Sequence, residues 1–203
     1  MSNLKLIVAC SVAILSSVCW GQAKSDKPQD PAKPDACIVS IESIFTPTGW
    51  MGDARKENTS FEGACKTDPH TAPTCTKVKC TFGALGWAGI YWQNKPDNWG
   101  KSPGNDYSAK KIRKVTFWAR GETGEETLEF KTGNDNPDPK MDYKDTFSGT
   151  TGKVTLSKEW KQYSIDLENK DLSCVIGGFC WVASSDFNKK ASVTFYLDDI
   201  AFE

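Results

Sequence analysis

The stretch GWAGIYWQNKPDNWG, residues 86–100, sets an aromatic-rich run between a glycine and a turn built from Asn, Lys, Pro and Asp. A run of aromatic and β-branched residues closed by turn formers reads as a β-strand, here over 87–93. Ile90 marks its core side. Alternation of period two then sends Trp92 inward and Trp87, Tyr91 and Gln93 outward, unless a bulge at Gly89 shifts the pattern.

The rest of the chain repeats this grammar. Runs rich in Val, Ile, Phe, Thr, Tyr and Trp recur at intervals of roughly 8 to 12 residues, and the predicted strands cover 37–44, 76–82, 87–93, 112–120, 126–131, 153–156, 160–166, 176–183 and 192–202. Turn signals separate them at 121–124, 133–139, 148–152 and 168–170. No long amphipathic helix or internal repeat is visible. The pattern predicts an all-β fold, a β-sandwich or jelly roll of two antiparallel sheets. In VTFWAR, residues 115–120, Val115, Phe117 and Ala119 read as core, so Trp118 and Arg120 face the other way. Leu128 and Phe130 also read as core, which turns Glu129 and Lys131 outward. Trp118, Arg120, Glu129 and Lys131 together would make an outer face that joins a ring to charged groups; the plainer alternative is an Arg120–Glu129 ion pair on a solvated sheet.

Composition bounds the setting of this fold. The chain has 203 residues, 25 of them basic and 26 acidic. It opens with a basic MSNLK, an apolar LIVACSVAILSSVCW and a small-residue GQA, which is the pattern of a secretory signal over residues 1–23. That apolar run falls short of the about 20 residues a transmembrane helix needs, and no later stretch approaches it. The segment before Cys10 is too short for a lipidation signal. KSDKPQDPAKPDA, residues 24–36, holds no large apolar side chain and reads as a flexible linker. Residues 37–203 suffice for one domain with a full core, expected to be a monomer. Only Lys5 among the charged residues leaves with the signal, so the mature chain carries a net charge of −2. The short basic run at 110–114 is a solvated strand entrance, and no basic cluster of the kind that displaces counterions from nucleic acid is present.

Two of the 8 cysteines lie in the signal, which leaves Cys37, Cys65, Cys75, Cys80, Cys174 and Cys180. An even number in an oxidising compartment implies disulfides, with connectivity left open by sequence. Proximity favours Cys65 with Cys75 and Cys174 with Cys180, leaving Cys37 with Cys80. Zinc is disfavoured, since paired C-x-x-C ligands are absent and His70 is the single histidine.

A pyranose ring has apolar C–H faces and polar edges, so a site for it needs exposed aromatic faces rimmed by hydrogen-bonding groups. The crowding of Trp87, Tyr91, Trp92 and Trp99 predicts such a surface, against the plainer reading that each ring is core. Trp87, Tyr91, Trp118 and Trp50 are the expected stacking residues, with Trp99 and Trp181 as second-rank platforms. Gln93, Arg120, Glu129 and Lys131 are the expected hydrogen-bonding residues. Trp50 sits in TPTGWMGD, residues 46–53, which looks like a loop closing one side of a groove.

Two other classes compete with a noncatalytic binder. A jelly-roll hydrolase or lyase would need paired carboxylates or a base. The sandwich-hydrolase pattern E-x-D-x-x-E is absent, and the adjacent pairs Glu125-Glu126 and Asp198-Asp199 would send their carboxylates to different faces. His70 lies in a turn-like TDPHTAPTC, and no G-x-S-x-G, H-E-x-x-H or EF-hand spacing occurs. A structural or adhesive surface protein would instead show an apolar patch without a polar rim.

Four segments carry a resemblance: VTFYLDDIAFE (193–203), KEWKQYSIDL (158–167), KVTFWARGE (114–122) and GWAGIYWQ (86–93). They resemble carbohydrate-binding modules of the galactose-binding-like jelly-roll superfamily, most of all the glucan- and xylan-binding modules attached to bacterial polysaccharide-degrading enzymes. The resemblance covers most of the chain from Cys37 onward and identifies fold better than ligand. The signal predicts a secreted or periplasmic chain, and the resemblance implies a β-sandwich that binds polysaccharide or oligosaccharide on a concave sheet face or at edge loops, without chemistry. It also implies a structural Ca2+ held by the aspartates of the last strand, here Asp198 and Asp199, with Asp186, Asn188, Asp97 and Glu42 as candidate further ligands. The alternative is that these aspartates cap strand backbone groups. Typical modules are joined to a hydrolase, whereas this chain is nearly all module plus leader, a departure that puts the enzyme-targeting role in doubt and leaves open whether the binder works free or attached to a partner.

Overall fold

Alternation of apolar and polar side chains organises the protein into two antiparallel sheets. A computed structural model describes residues 38–135 and 140–203, so the predicted signal, linker and Cys37 lie outside the described residues. The described elements are β1 (Val39–Ser40), α1 (Ile41–Ile44), β2 (Thr46–Gly52), β3 (Thr59–Cys65), β4 (Cys75–Thr81) and β5 (Trp87–Gln93). They continue with β6 (Lys114–Gly121), β7 (Thr127–Thr132), β8 (Gly149–Thr155), β9 (Lys161–Asp166), β10 (Gly177–Ser184), α2 (Ser185–Asn188) and β11 (Ser192–Phe202). One sheet runs β3-β4-β11-β6-β9, with β1 paired to β11; the other runs β2-β5-β10-β7-β8.

Strands β5 and β11 fall where the sequence places them, and every predicted strand has a counterpart, the first only over the two residues of β1. Residues 41–44 form a single helical turn instead of a strand, because Ser40 caps it by accepting a hydrogen bond from Ser43 N. Two strands went unpredicted, and both are sheet edges. Pro47 and two glycines hide β2, and a proline without an N–H is tolerated on such an edge beside a register shift. β3 carries one large apolar side chain, Phe61.

The inner faces meet through aromatic contacts. Phe117 of β6 lies 4.6 Å from Phe130 and 5.0 Å from Phe179, centroid to centroid, across the two sheets. Trp181 meets Phe195 edge-on at 5.1 Å. Trp181 is fully buried, so it is core and not a ligand platform.

The five described cysteines carry free thiols. Cys65 and Cys75 stand opposite one another in the β3–β4 register, and burial together with Cys65 pushes the Cys75 thiol up to about 12. Cys174 and Cys180 make separate contacts. Cys174 Sγ accepts from Gly104 N at 3.3 Å, whereas Cys180 sits on β10 between Tyr91 and Lys131.

Candidate functional site

Register assembles the outer face of β2-β5-β10-β7-β8 in rows. Met51, Gly89, Val182, Glu129 and Lys153 align across the five strands; the next row holds Gly49, Tyr91, Cys180, Lys131 and Thr150. Trp87 begins β5 one step beyond the first row, opposite Ser184. At 37% exposure it is the most open tryptophan among the described residues.

The far end of the face is built around Tyr91. Its ring lies over Gly177, where a Cβ would come 1.7 Å from Tyr91 Cζ, so only glycine fits beneath it. Its hydroxyl donates to Asp145 Oδ2 at 2.9 Å. Asp145 also accepts from Asn134 N at 3.0 Å, Ile176 N at 2.6 Å and Gly177 N at 3.0 Å. Burial pushes the Asp145 carboxyl up to about 6, against the opposing pull of these donors. Trp99 stacks on Tyr91 at 6.2 Å and 27°. Tyr91 is therefore nearly buried, and the rings left open at this end are half-buried Trp99 and exposed Tyr143, which wall a small cleft with Met141.

Gln93 points to this outer face as predicted, but its amide is committed within the protein. Its Nε2 donates to Asn98 O at 2.9 Å and its Oε1 accepts from Thr48 Oγ1 at 2.9 Å. Asn98 in turn bonds Asn94 and Ser102. Gln93 thus fixes the loop that carries Trp99 instead of offering hydrogen bonds to a ligand. Between the two aromatic ends, Glu129 Oε1 accepts from Thr150 Oγ1 at 2.8 Å and pairs with Lys131 Nζ at 3.2 Å. Lys153 Nζ stands 4.1 Å from the Phe187 ring centroid.

The expected single surface of Trp118, Arg120, Glu129 and Lys131 does not exist, because β6 and β7 belong to different sheets. Trp118 and Arg120 do point away from the core, but on the opposite side of the sandwich. There His70 stacks flat on Trp118 at 3.7 Å and 16°. Arg120 lies 3.7 Å over the Tyr196 ring and bonds Thr67 O, with Asp68 as its nearest carboxylate. The alternative Arg120–Glu129 ion pair is excluded by the same topology. Trp50 is also misplaced by the sequence reading: it pairs in register with Ile90, packs against the core and lies on the reverse side of β2 from this outer face.

Asp198 accepts from Thr71 N and from Asp199 N, both at 3.0 Å. The carboxylate of Asp199 is taken by His70 Nδ1 at 2.8 Å and Thr71 Oγ1 at 2.7 Å. Asp198 lines a cavity of about 350 Å³ together with Glu42, Thr74 and Thr76. Desolvation and the neighbouring Asp198 push the Glu42 carboxyl up to about 7. Asn188 is occupied elsewhere, holding Thr127 and Ser184. Among the described residues no three His, Cys, Asp or Glu side chains form a metal cluster.

Tyr143, Lys153 and Thr150 were not singled out by sequence. Tyr143 lies in MDYKDTF, which has no alternation to reveal it; Lys153 and Thr150 become site residues only through the pairing of β8 with β7.

No family model and no curated protein matches the chain. Among solved structures it is similar to a family 30 carbohydrate-binding module, with 14% identity and a TM-score of 0.53 over 82% of this chain and 98% of that one. A second structure of a family 30 module gives 13% identity and a TM-score of 0.50 over 83% and 88%. A family 11 carbohydrate-binding module from Clostridium thermocellum, in complex with a β-1,3-1,4-mixed-linked tetrasaccharide, aligns at 16% identity over 71% and 80%, with a TM-score of 0.46. The likeness to the family 30 modules is one of fold: this chain shares their β-sandwich.

Proposed function

We propose that the protein is a secreted, monomeric, noncatalytic binder that holds a polysaccharide or oligosaccharide along the outer face of β2-β5-β10-β7-β8. The observation that carries this reading is the spacing of open rings on that face: Trp87 at one end, Trp99 and Tyr143 at the other, with Glu129, Lys131, Lys153 and Thr150 between. Rings receive the C–H faces of sugars and the polar row receives hydroxyls. The shared fold with modules that are named as carbohydrate-binding supports the same reading. Hydrolysis would need a protonated and an ionised carboxyl flanking the sugar bond. Here Glu129 is held by Lys131 and Thr150, and Asp145 is sealed beneath Tyr91. The test is electrophoresis of the mature domain through gels containing a panel of polysaccharides, with released sugar assayed in the same mixtures. Retardation without release is expected. Release would make the protein an enzyme, and indifference to every glycan would favour a protein-adhesion role.

The opposed thiols of Cys65 and Cys75 are the pair this reading oxidises after export, by exchange with a disulfide-carrying oxidoreductase that takes up their electrons and protons. Mass spectrometry of the exported chain is expected to find an N-terminus at Lys24 and a Cys65–Cys75 linked peptide. Both thiols recovered free would contradict it.

A structural calcium is the second part of the proposal. Glu42 and Asp198 line one cavity and supply hard oxygen donors, which fits the ion. Asp199 does not line that cavity, its carboxylate being held by His70 and Thr71, and so falls outside the donor set. Calcium at ten times its dissociation constant is then expected to stabilise the fold by about 1.4 kcal/mol, reversibly with chelator and not in Glu42→Gln. An unfolding midpoint indifferent to calcium would remove this part of the proposal.

A further inference from the structure

A concave surface lies just past Trp87, around the edge of β2. It is an open pocket of about 470 Å³ lined by Trp50, Gly52, Ala54, Arg55, Lys56 and Leu85. Its walls are the turn after β2 and the turn before β5, and Asp53 pins them together by accepting from Gly83 N at 2.9 Å and Leu85 N at 3.3 Å. That carboxylate is buried and spent on these bonds, so the lining holds two cations and no available carboxylate. Arg55 and Lys56 are exposed, and among the described residues neither side chain makes an ion pair or hydrogen bond. Half-buried Trp50 and exposed Leu85 give the pocket an apolar floor.

This pocket adjoins the groove. A Cβ on Gly52 would come 2.9 Å from Trp87 Cδ2, so the Trp87 ring lies directly along the glycine that also lines the pocket. A glycan stacked on Trp87 and continuing across the edge of β2 would enter a site with an aromatic wall and two unpaired cations. In a chain of net charge −1, this is a local concentration of positive charge with a ring beside it.

We infer that this edge pocket takes an acidic sugar residue of the bound glycan, a uronate whose carboxylate meets Arg55 and Lys56 while its ring rests on Trp50. The planar guanidinium of Arg55 matches a carboxylate in two-point geometry, and Lys56 adds a point charge. The inference rests on the reading of the groove as a glycan site and names the kind of sugar that extends beyond it.

The experiment uses pairs of soluble polysaccharides that differ only in charge, a uronate-bearing chain and its carboxyl-reduced counterpart, titrated calorimetrically into the mature protein. For pairs that bind, the uronate-bearing member is expected to bind about tenfold more tightly at low salt. Added salt should erode that preference, and the Arg55→Gln/Lys56→Gln double variant should abolish it while keeping its affinity for the reduced chain. Equal affinities within every bound pair, or a preference that survives in the double variant, would overturn the acidic pocket and leave the groove standing. Failure of every glycan to bind would overturn both.

Discussion

Asp145→Ala is expected to lower the stability of the domain by on the order of 3–5 kcal/mol, read as a fall in the urea midpoint at constant slope. The carboxylate is the common acceptor for Tyr91 Oη and three backbone N–H groups, those of Asn134, Ile176 and Gly177. Alanine leaves these donors without their partner, and two of the backbone donors lie in fully buried surroundings. Because Tyr91 supports Trp99, the same change should also loosen the aromatic end of the groove. The pH dependence follows from the raised pKa, which stands at about 6 in the folded state against an ordinary 3.8. The folded protein binds the proton more tightly than the unfolded chain. Stability from this group is therefore complete below about pH 4 and declines as pH rises through 6, by roughly 3 kcal/mol in total. Asp145→Asn should lack that decline. An identical pH profile in wild type and Asp145→Asn would show that burial does not dominate at this carboxyl.

Trp87→Ala is expected to weaken binding of a neutral glycan by about 1–3 kcal/mol, on the order of 5- to 150-fold, with the unfolding midpoint nearly unchanged. The ring is the most open of the described tryptophans and stands at the end of a solvent-facing row, so its removal takes away ligand contact more than packing. Trp118→Ala provides the contrast. Its ring face is covered by His70, whose imidazole is held by Asp199, so the variant should lose stability and keep affinity. Equal affinity of Trp87→Ala and wild type would place the site elsewhere.

Most of the fold was legible because burial of one strand face writes a period-two pattern directly into the sequence. Val115, Phe117 and Ala119 on β6, Leu128 and Phe130 on β7, and Ile90 and Trp92 on β5 all face the core as read. β2 and β3 escaped because edge strands need fewer large apolar residues and tolerate Pro and Gly. Periodicity gives the side of a strand but not its sheet. That is why Trp118 and Arg120 were joined to Glu129 and Lys131 although they lie on opposite outer faces. The sequence puts the rings of residues 87–99 on one strand and its following turn, as the structure has them, but does not say which of them stay open. Which rings stay open depends on tertiary contacts: Asp145 and Gly177 lay Tyr91 flat, Trp99 covers it, and Gln93 turns to hold the Trp99 loop. Asp145 and Gly177 are remote in sequence from Tyr91, whereas the contacts of Tyr91 with Trp99 and of Gln93 with Asn98 are short spans.

On the proposed reading, glycan lies on the outer face of β2-β5-β10-β7-β8. Following the tryptophan indole N–H resonances while titrating an oligosaccharide of a retained polysaccharide tests it most directly, since those signals separate the two sides of the sandwich. Trp87 and Trp99 are expected to shift with a common saturation curve, while Trp118 and Trp160, which meets His70 edge-on at 6.0 Å on the same opposite side, stay in place. Shifts confined to Trp118 and Trp160 would contradict it.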